Sequence, residues 1–572
     1  MAKPNRETTT ETLILSLQRR YPEKGFLIHP AVSFCFSHGT DADADAGGMG
    51  VMARERIQKD DVLLVIPEAV RFSTPNVLLC TSRNDNHNHQ AMRAMNKKLL
   101  QTCSQWQNYF DPQEISLTVS VMHVLRRKSS PHIYSDEDPF VLQAATWPSE
   151  EDMKESSMFY WDASKVKEIL NQSLLTSNFE RRQKVLREIF DGAVLPLLKR
   201  DADNFIDSNL STLAAGSNND DDDMNGKSEE TALWRTFLYA FSLVWSRTHG
   251  SPDPELIPLI ELFNGNSDRV RNHPNRGSKK DTIINVDLTR GMWPFMRGPM
   301  FRDDCNLACS AVYANRDIDK GEELIISYGD LSAGNFMLKY GAVPENLISH
   351  HDAKIQMEVS LWCDPSLIPS LDPQDLRVQC LRNRGCPLEE FKSNKWCICD
   401  LNADESALEL LRCNGQETDA IKHMRQFLIL AVLADDEELH RNIATDLIRG
   451  RLYAQRVVPL MCQMVDYNLE MLAPGTNATS TEDAKQARHP DTPPWKKAAL
   501  WARIEYRESL MQWRHAFAKQ GTNIHVEDRL EGCAICGRTY PCLKCSRCKE
   551  VRYCSRGHQK LDWKNHKIQC VK

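Results

Sequence analysis

The sequence predicts an α+β protein that ends in a small metal-stabilised segment. Apolar runs of strand length occur at 62–67 and within 305–328, and apolar residues recur at helical spacing over much of 113–245 and 400–470. Seven of the 19 cysteines fall within 533–570. With 572 residues, the chain is long enough for several compact units.

Composition and charge exclude several classes of protein. The formal net charge of −7 is unlike that of a chain whose main task is nucleic-acid binding. No run of apolar residues is long enough to predict a membrane span, and the stretch from Met1 lacks the apolar region of a secretory signal. We therefore expect a cytosolic or nuclear protein, in which clustered cysteines bind metal rather than form disulfides.

Two regions predict strands. The first is the apolar run Val62–Pro67, which proline closes. In the second, apolar residues alternate from Leu307 to Tyr313, a turn follows at Asp319–Glu322, and the apolar run Leu324–Ile326 comes next. This pattern predicts two strands around a turn.

Helical periodicity dominates the middle of the chain. A stripe over 186–198 predicts a helix that Pro196 should kink or end, and aromatic residues from Trp234 to Trp245 predict another. Between them, the acidic, Asn-rich stretch 218–230 predicts a disordered surface insertion.

Helical spacing returns in the C-terminal part. Turn-forming residues over 474–494 predict a loop or hinge. A charged helix is expected from about Trp495 to Lys519, directly before the cysteine cluster.

Four spaced pairs of cysteine and histidine lie near the end of the chain. Zinc prefers four sulfur or nitrogen ligands in a tetrahedron, so eight ligands predict two sites. A segment this short can bury little core, and bound metal should therefore stabilise its fold. Cys542 is treated as a non-ligand. The candidate ligands are Cys533, Cys536, Cys545, Cys548, Cys554, His558, His566 and Cys570.

These residues resemble the MYND finger family, most closely at Cys545–Lys549, Tyr553–Ser555 and Gln559–Trp563. The resemblance implies two interleaved zinc sites, and it departs at His558, where the family usually has cysteine. The first site would comprise Cys533, Cys536, Cys554 and His558. The second would comprise Cys545, Cys548, His566 and Cys570.

The finger is basic, with ten Lys or Arg against three Asp or Glu over 531–572. Such a patch could contact nucleic acid. MYND fingers are known as protein-interaction modules that take proline-rich peptides, so the resemblance implies a protein partner and makes direct nucleic-acid binding the less favoured alternative. A purely structural zinc knot is the other alternative.

Three separated segments carry a second resemblance. They are Gly48–Ala53, then Ser246–Arg247 with Leu256–Asn266, and finally Ala314–Gly329, which continues to Asn335–Pro344. A G-x-G loop before a strand lets the backbone approach a ligand closely. In this order the segments are similar to the SET domain, in the group that includes the plant Rubisco large-subunit lysine methyltransferase.

This resemblance implies an α+β fold and a domain order. A beta-rich SET core would consist of residues 25–98 and 233–345, separated by a helical insertion at 99–232 with the acidic loop. A helical substrate-binding-like domain would cover 350–520, and the MYND-type finger 533–570. The implied activity is S-adenosylmethionine-dependent N-methylation of a protein, most often at lysine.

The resemblance also implies roles for individual residues. Tyr328 matches the active-site tyrosine, Arg247 would lie near the cofactor carboxylate, and Asn264 would contact the cofactor's amino-acid end. The cofactor-binding residues would be Gly48, Met49, Gly50, Ser246, Arg247, Asn264, Tyr328 and Tyr340.

Two positions depart from the family pattern. Gly265 follows Asn264 where the family usually has histidine, and Ala342 replaces the phenylalanine of a YGF motif. The first weakens one cofactor contact, and the second opens the target pocket. Two alternatives to lysine methylation stay open: histidine methylation, because neutral imidazole is also a nitrogen nucleophile, and a non-catalytic SET/MYND adaptor.

Overall fold

The computed structural model describes residues 6–20, 26–36, 49–74, 76, 86–129, 138–171, 173–200, 225–250, 253–268, 283–292, 308–329, 331–348, 357–359, 401–403, 458–472, 479–527, 543–549, 551–553 and 556–570. The chain divides into two compact units. The first contains residues 1–165, 178–353 and 487–498, and the second contains 166–177, 354–486 and 499–572.

The described strands are short and lie mostly in the first unit. They are β1 (Leu27–Ile28), β2 (Val32–Phe36), β3 (Met49–Ala53), β4 (Val62–Pro67), β5 (Asn264–Asn266), β6 (Val286–Met292), β7 (Ala308–Ala314), β8 (Ile325–Ser327), β9 (Met357–Val359), β10 (Leu401–Ala403), β11 (Leu543–Lys544) and β12 (Arg552–Tyr553).

The described helices occur in both units. They are α1 (Arg6–Arg20), α2 (Asn86–Cys103), α3 (Pro112–Ser129), α4 (Pro139–Thr146), α5 (Glu150–Ser156), α6 (Ala163–Leu170), α7 (Leu174–Ile189), α8 (Leu195–Arg200), α9 (Asn225–Arg247), α10 (Ala333–Tyr340), α11 (Glu345–Ile348), α12 (Val458–Leu472), α13 (Ser480–Ala487), α14 (Pro494–Glu527) and α15 (Arg556–Gln569). The mixture of helix and small sheets confirms the predicted α+β class.

The described residues of the first unit form three small sheets. Strands β1, β4, β7 and β6 form an antiparallel sheet in that order, β2 pairs antiparallel with β3, and β5 pairs parallel with β8. The predicted strand Val62–Pro67 is present as β4, and five of its six residues are buried. Parallel pairing of β5 with β8 brings two distant segments side by side.

The two strands predicted around a turn exist as β7 and β8, but they do not pair with each other. The backbone between them bonds instead to the segment after Gly50: Ala53 N–H donates to Glu322 O at 2.9 Å, and Leu324 N–H donates to Val51 O at 2.7 Å. These hydrogen bonds join the residues between β7 and β8 to β3, and so hold the segment Ala314–Gly329 against the segment Gly48–Ala53.

One hydrophobic core receives side chains from all three segments. The first contributes Val51 and Ala53, and the others contribute residues that are also buried. These are Ile257, Ile260, Phe263, Ile318, Leu324 and Ile326. The shared core fixes the relative positions of the polar residues that the same segments carry.

The predicted helix over 186–198 is interrupted as expected. α7 ends at Ile189, a wide π-type turn covers Phe190–Val194, and α8 begins at Leu195. Pro196 lacks the N–H that would continue the ladder, which accounts for the break one turn earlier. The aromatic stripe forms helix α9, where the rings of Phe241 and Trp245 lie 6.0 Å apart.

Two loop predictions were partly wrong. In the stretch 218–230, residues from Asn225 onward are helical, and 218–224 lie outside the described residues. Within 474–494, residues Ser480–Ala487 form α13. Thr479 and Glu482 exchange hydrogen bonds that cap its start: Thr479 N–H donates to the carboxylate at 2.8 Å, and Glu482 N–H donates to Oγ1 at 3.2 Å.

The expected charged helix is present as α14, and most of it, from residue 499 onward, belongs to the second unit. Inside this unit the buried Asp483 accepts hydrogen bonds from Arg503 and Arg507. Most of 400–470, where helical spacing was predicted, lies outside the described residues. Among the helices described, none has the length and apolarity that crossing a membrane requires.

Candidate active site and metal centre

Gly50, Asn264 and Glu323 meet at one point, although they lie far apart in the sequence. The Asn264 side-chain N–H₂ donates to Glu323 Oε1 at 2.6 Å. A Cβ added to Gly50 would lie 2.9 Å from Glu323 Oε1 and 3.6 Å from Asn264 Nδ2. Glycine at position 50 therefore leaves room for the carboxylate. Gly48 lies outside the described residues, and the backbone of Met49 begins β3.

Tyr328 follows β8 and lies beside the same segment. Its hydroxyl donates to the carbonyl of Phe263 at 3.1 Å, and its ring stacks on Tyr340 with 4.4 Å between centroids. Burial raises the pKa of Tyr328 to about 12, an effect that the charge of Arg247 opposes and that of Glu323 increases. The side chain is therefore a neutral phenol at physiological pH.

Gly265 explains how Tyr328 is accommodated. A Cβ at this position would lie 2.5 Å from Tyr328 Cγ, which is well inside contact distance. The ring of Tyr328 thus occupies the space that a side chain at position 265 would fill, which is why this position holds glycine. The second departure, Ala342, is exposed and follows Gly341, which has a φ of +64°.

Arg247 lies at the end of α9, and its guanidinium donates to the carbonyl of Glu261 at 2.9 Å. The hydroxyl of Ser246 donates to a carbonyl one turn earlier in its own helix, at 2.8 Å. The Glu261 carboxylate is buried and accepts from Gln143 at 3.0 Å and Trp147 at 3.1 Å. Burial raises its pKa to about 7, against the opposing effects of Arg247 and these hydrogen bonds.

Sequence reasoning did not single out Glu323 or Glu261 as site residues. The available signal for Glu261 is a lone carboxylate in the otherwise apolar run Leu259–Phe263. For Glu323 the signal is weaker: it is the second glutamate of a turn that precedes the short strand β8, and only the tertiary contact with Asn264 distinguishes it from Glu322.

Four of the predicted zinc ligands converge in the finger. The candidate ligand atoms of Cys545, Cys548, His566 and Cys570 all lie within 4.8 Å of one another. Cys545 Sγ lies 3.9 Å from Cys570 Sγ, and His566 Nε2 lies 3.3 Å from Cys545 Sγ and 3.5 Å from Cys548 Sγ.

These distances fit a zinc ion. Tetrahedral bonds of about 2.3 Å to sulfur and about 2.0 Å to nitrogen place two sulfurs about 3.8 Å apart and sulfur about 3.5 Å from nitrogen. Burial alone would raise the pKa of the Cys545 thiol, but hydrogen bonds outweigh it and lower this pKa to about 6. The hydrogen bonds come from the backbone of Cys548 and Arg547 and from the side chains of His566 and Cys570. Thiolate, the form that binds metal, is thereby favoured.

The other proposed site is only partly described. His558 is buried in α15, whereas Cys533, Cys536 and Cys554 lie outside the described residues. Near the described site, β11 pairs with β12, and the buried hydroxyl of Tyr553 donates to Asp562 at 2.7 Å. These contacts connect the small sheet with the helix that carries His566.

Family comparisons match both regions. The SET domain model matches residues 48–329, and the MYND finger model matches residues 533–570. Egl nine homolog 1 from Homo sapiens is 47% identical over 38 residues, which are 7% of this chain and 9% of that protein. Ubiquitin carboxyl-terminal hydrolase 19 from Arabidopsis thaliana is 52% identical over 46 residues, which are 8% and 6% of the two proteins. The chain therefore spans less than a tenth of each of these relatives.

Solved structures resemble nearly the whole chain. One is described as the crystal structure of the SET domain of LSMT bound to lysine and AdoHcy; its TM-score is 0.51 at 14% identity, over 91% of this chain and 93% of that one. Another is described as Rubisco LSMT bound to sinefungin and monomethyllysine, with a TM-score of 0.50 at 14% identity, over 90% and 93%. At this identity the likeness establishes the fold.

Proposed function

Residues 48–329 match the SET domain family and residues 533–570 match the MYND finger family, and on that premise we propose that the chain is a methyltransferase that transfers a methyl group from S-adenosylmethionine to lysine side chains of a protein substrate. One observation carries the proposal. Gly50 and Asn264 both lie against Glu323, and the Tyr328 ring lies against Gly265, the residue after Asn264, so that three distant segments meet here.

The chain's own groups suit a cofactor with a charged amino-acid end. When bound, S-adenosylmethionine supplies a methyl group on a sulfonium sulfur, which a neutral amine can attack. The exposed Asn264 amide and the Arg247 guanidinium would bind the amino-acid end, and the glycine backbone at position 50 leaves space beside them. Ser246, Met49 and Gly48 are proposed contacts of the same cofactor.

Tyr328 would orient the reacting groups rather than remove a proton. Its pKa of about 12 keeps the hydroxyl protonated, so it acts as a neutral hydrogen-bonding group. The substrate lysine has an ordinary pKa of about 10.4 and must lose its proton to react. Removal of the amine from water and the positive charge of the adjacent sulfonium would both disfavour the ammonium form, and much of the rate would come from correct placement of the amine.

The finger would hold two zinc ions and bind a protein partner. Cys545, Cys548, His566 and Cys570 would ligate one ion, and Cys533, Cys536, Cys554 and His558 the other. Leu543 is 68% exposed and Trp563 is 40% exposed, which supports a proline-rich peptide as the ligand of the finger. We propose a cytosolic or nuclear location, where such cysteines stay reduced.

Methyl transfer from radiolabelled S-adenosylmethionine to proteins of a cell extract tests the proposal. Wild type should label a protein, and Tyr328→Phe should reduce the rate about 100-fold or more, since it removes one positioned hydroxyl. Tyr313→Phe makes the same chemical change in β7 and should label as wild type does.

Hydrolysis of the labelled protein should yield methyllysine. Methylhistidine would instead identify the alternative nucleophile. No label with any variant, together with no binding of S-adenosylmethionine, would support the adaptor alternative.

A further inference from the structure

Glu323 is an acidic residue at the proposed cofactor site, next to Asn264 and Gly50. It is half-buried two residues before β8, and its Oε1 lies 2.6 Å from Asn264 Nδ2. The same oxygen is positioned against the backbone of Gly50, where a Cβ would lie 2.9 Å away. An ionised carboxylate at this point must influence any ligand that contacts Asn264.

The carboxylate fixes the orientation of the Asn264 amide. An ionised carboxylate only accepts hydrogen bonds, so the amide must direct Nδ2 toward Glu323 and its carbonyl Oδ1 elsewhere. Asn264 is exposed, and no hydrogen bond to Glu323 occupies its Oδ1, so this oxygen could accept a hydrogen bond from a ligand. The site thus presents two acceptors, one of them charged, and such a pair suits a primary ammonium group with its three donors.

The guanidinium of Arg247 places a positive charge near the same ring as Glu323. Arg247 and Glu323 both act on the phenol of Tyr328, the first lowering and the second raising its pKa. Charges of opposite sign therefore lie near this ring and come from different segments. A free α-amino acid has the matching pair of groups, a carboxylate for the guanidinium and an ammonium for the glutamate.

We infer that Glu323 binds the α-ammonium group of the methionine part of S-adenosylmethionine, with Asn264 Oδ1 as its partner. The inference rests on the proposed function and adds a residue that determines which ligands the site accepts. The ammonium of a substrate lysine has the same chemistry, and the experiment must therefore change the cofactor rather than the substrate.

Calorimetric titration with S-adenosylhomocysteine and with its analogue lacking the α-amino group separates these possibilities. Wild type should bind S-adenosylhomocysteine about ten- to a hundredfold more tightly than the des-amino analogue, as expected for one charge-assisted hydrogen bond. Glu323→Gln should lose most of this preference by weakening only the amino-bearing ligand. Glu322→Gln removes a carboxylate that accepts from Arg316 at 2.7 Å, and it should keep the preference.

The outcomes distinguish the two proposals. Wild type that binds neither ligand contradicts the proposed function itself. Wild type that binds both ligands equally well contradicts the inference and leaves the function intact, and this comparison holds even if Glu323→Gln does not fold. A Glu323→Gln protein that is folded by thermal unfolding and weakens both ligands by the same factor also contradicts the inference, because Glu323 would then only shape the site.

Discussion

Replacement of Gly265 by alanine should displace the proposed catalytic tyrosine. The new Cβ would lie 2.5 Å from Tyr328 Cγ, whereas an ordinary carbon contact is 3.4 Å or more, so the ring must retreat by roughly 1 Å. Tyr340 stacks on that ring at 4.4 Å between centroids and limits the available space. The hydrogen bond from Tyr328 to the carbonyl of Phe263 should lengthen beyond its 3.1 Å or break.

The expected effect falls mainly on turnover. A misplacement of about 1 Å at a reacting centre can reduce the rate about 100-fold. Overpacking of this kind costs about 1–3 kcal/mol of folding free energy, which thermal unfolding would detect as a modest decrease in Tm. The rate is measured by radiolabelled methyl transfer at saturating S-adenosylmethionine, so that weaker cofactor binding does not contribute.

A double substitution tests whether Gly265 acts through Tyr328. In a Tyr328→Phe background, Gly265→Ala should add little further loss, because the hydroxyl that it displaces is already absent. Wild-type turnover in Gly265→Ala, or losses that multiply in the double variant, would refute the steric reasoning.

Three further outcomes are expected. Gly50→Ala places a Cβ 2.9 Å from Glu323 Oε1 and should weaken S-adenosylhomocysteine binding about tenfold, as measured by calorimetry. The control Gly192→Ala places its Cβ 3.6 Å from the Trp106 ring, an ordinary contact, and should leave binding unchanged. Burial raises the folded-state pKa of Glu261 from 4.5 to about 7, so its contribution to stability is present below pH 4.5 and is lost as pH rises through 7. Chemical denaturation should therefore show the unfolding free energy of Glu261→Gln rising, relative to that of wild type, by up to about 3 kcal/mol between pH 5 and 8. A difference that stays constant over this pH range would contradict the prediction. Metal analysis should return about two zinc per chain for wild type and about one for Cys545→Ser; equal zinc in both would exclude Cys545 as a ligand.

The sequence predicted most elements whose periodicity is local. The buried strand Val62–Pro67, the aromatic helix ending at Arg247, and the break before Pro196 all follow from patterns within a few residues. The start of α13 was also a local signal, the reciprocal cap of Thr479 and Glu482, but the surrounding turn residues concealed it.

Strand pairing and site geometry could not be predicted in the same way. Which partner a short strand takes depends on tertiary packing, and β8 pairs with β5 rather than with the preceding β7. The exclusion of a side chain at Gly265 by Tyr328, and the approach of Glu323 to Asn264, are contacts between residues about 60 positions apart. Only the folded chain reveals them.

Hydrogen exchange measured by mass spectrometry, with and without S-adenosylhomocysteine, tests most directly whether one cofactor site joins the three segments. Saturating ligand should slow exchange together in peptides covering 48–53, 256–266 and 323–329, with no comparable change in the finger. Protection confined to one of these peptides, or absent from all three although the ligand binds, would contradict the shared site.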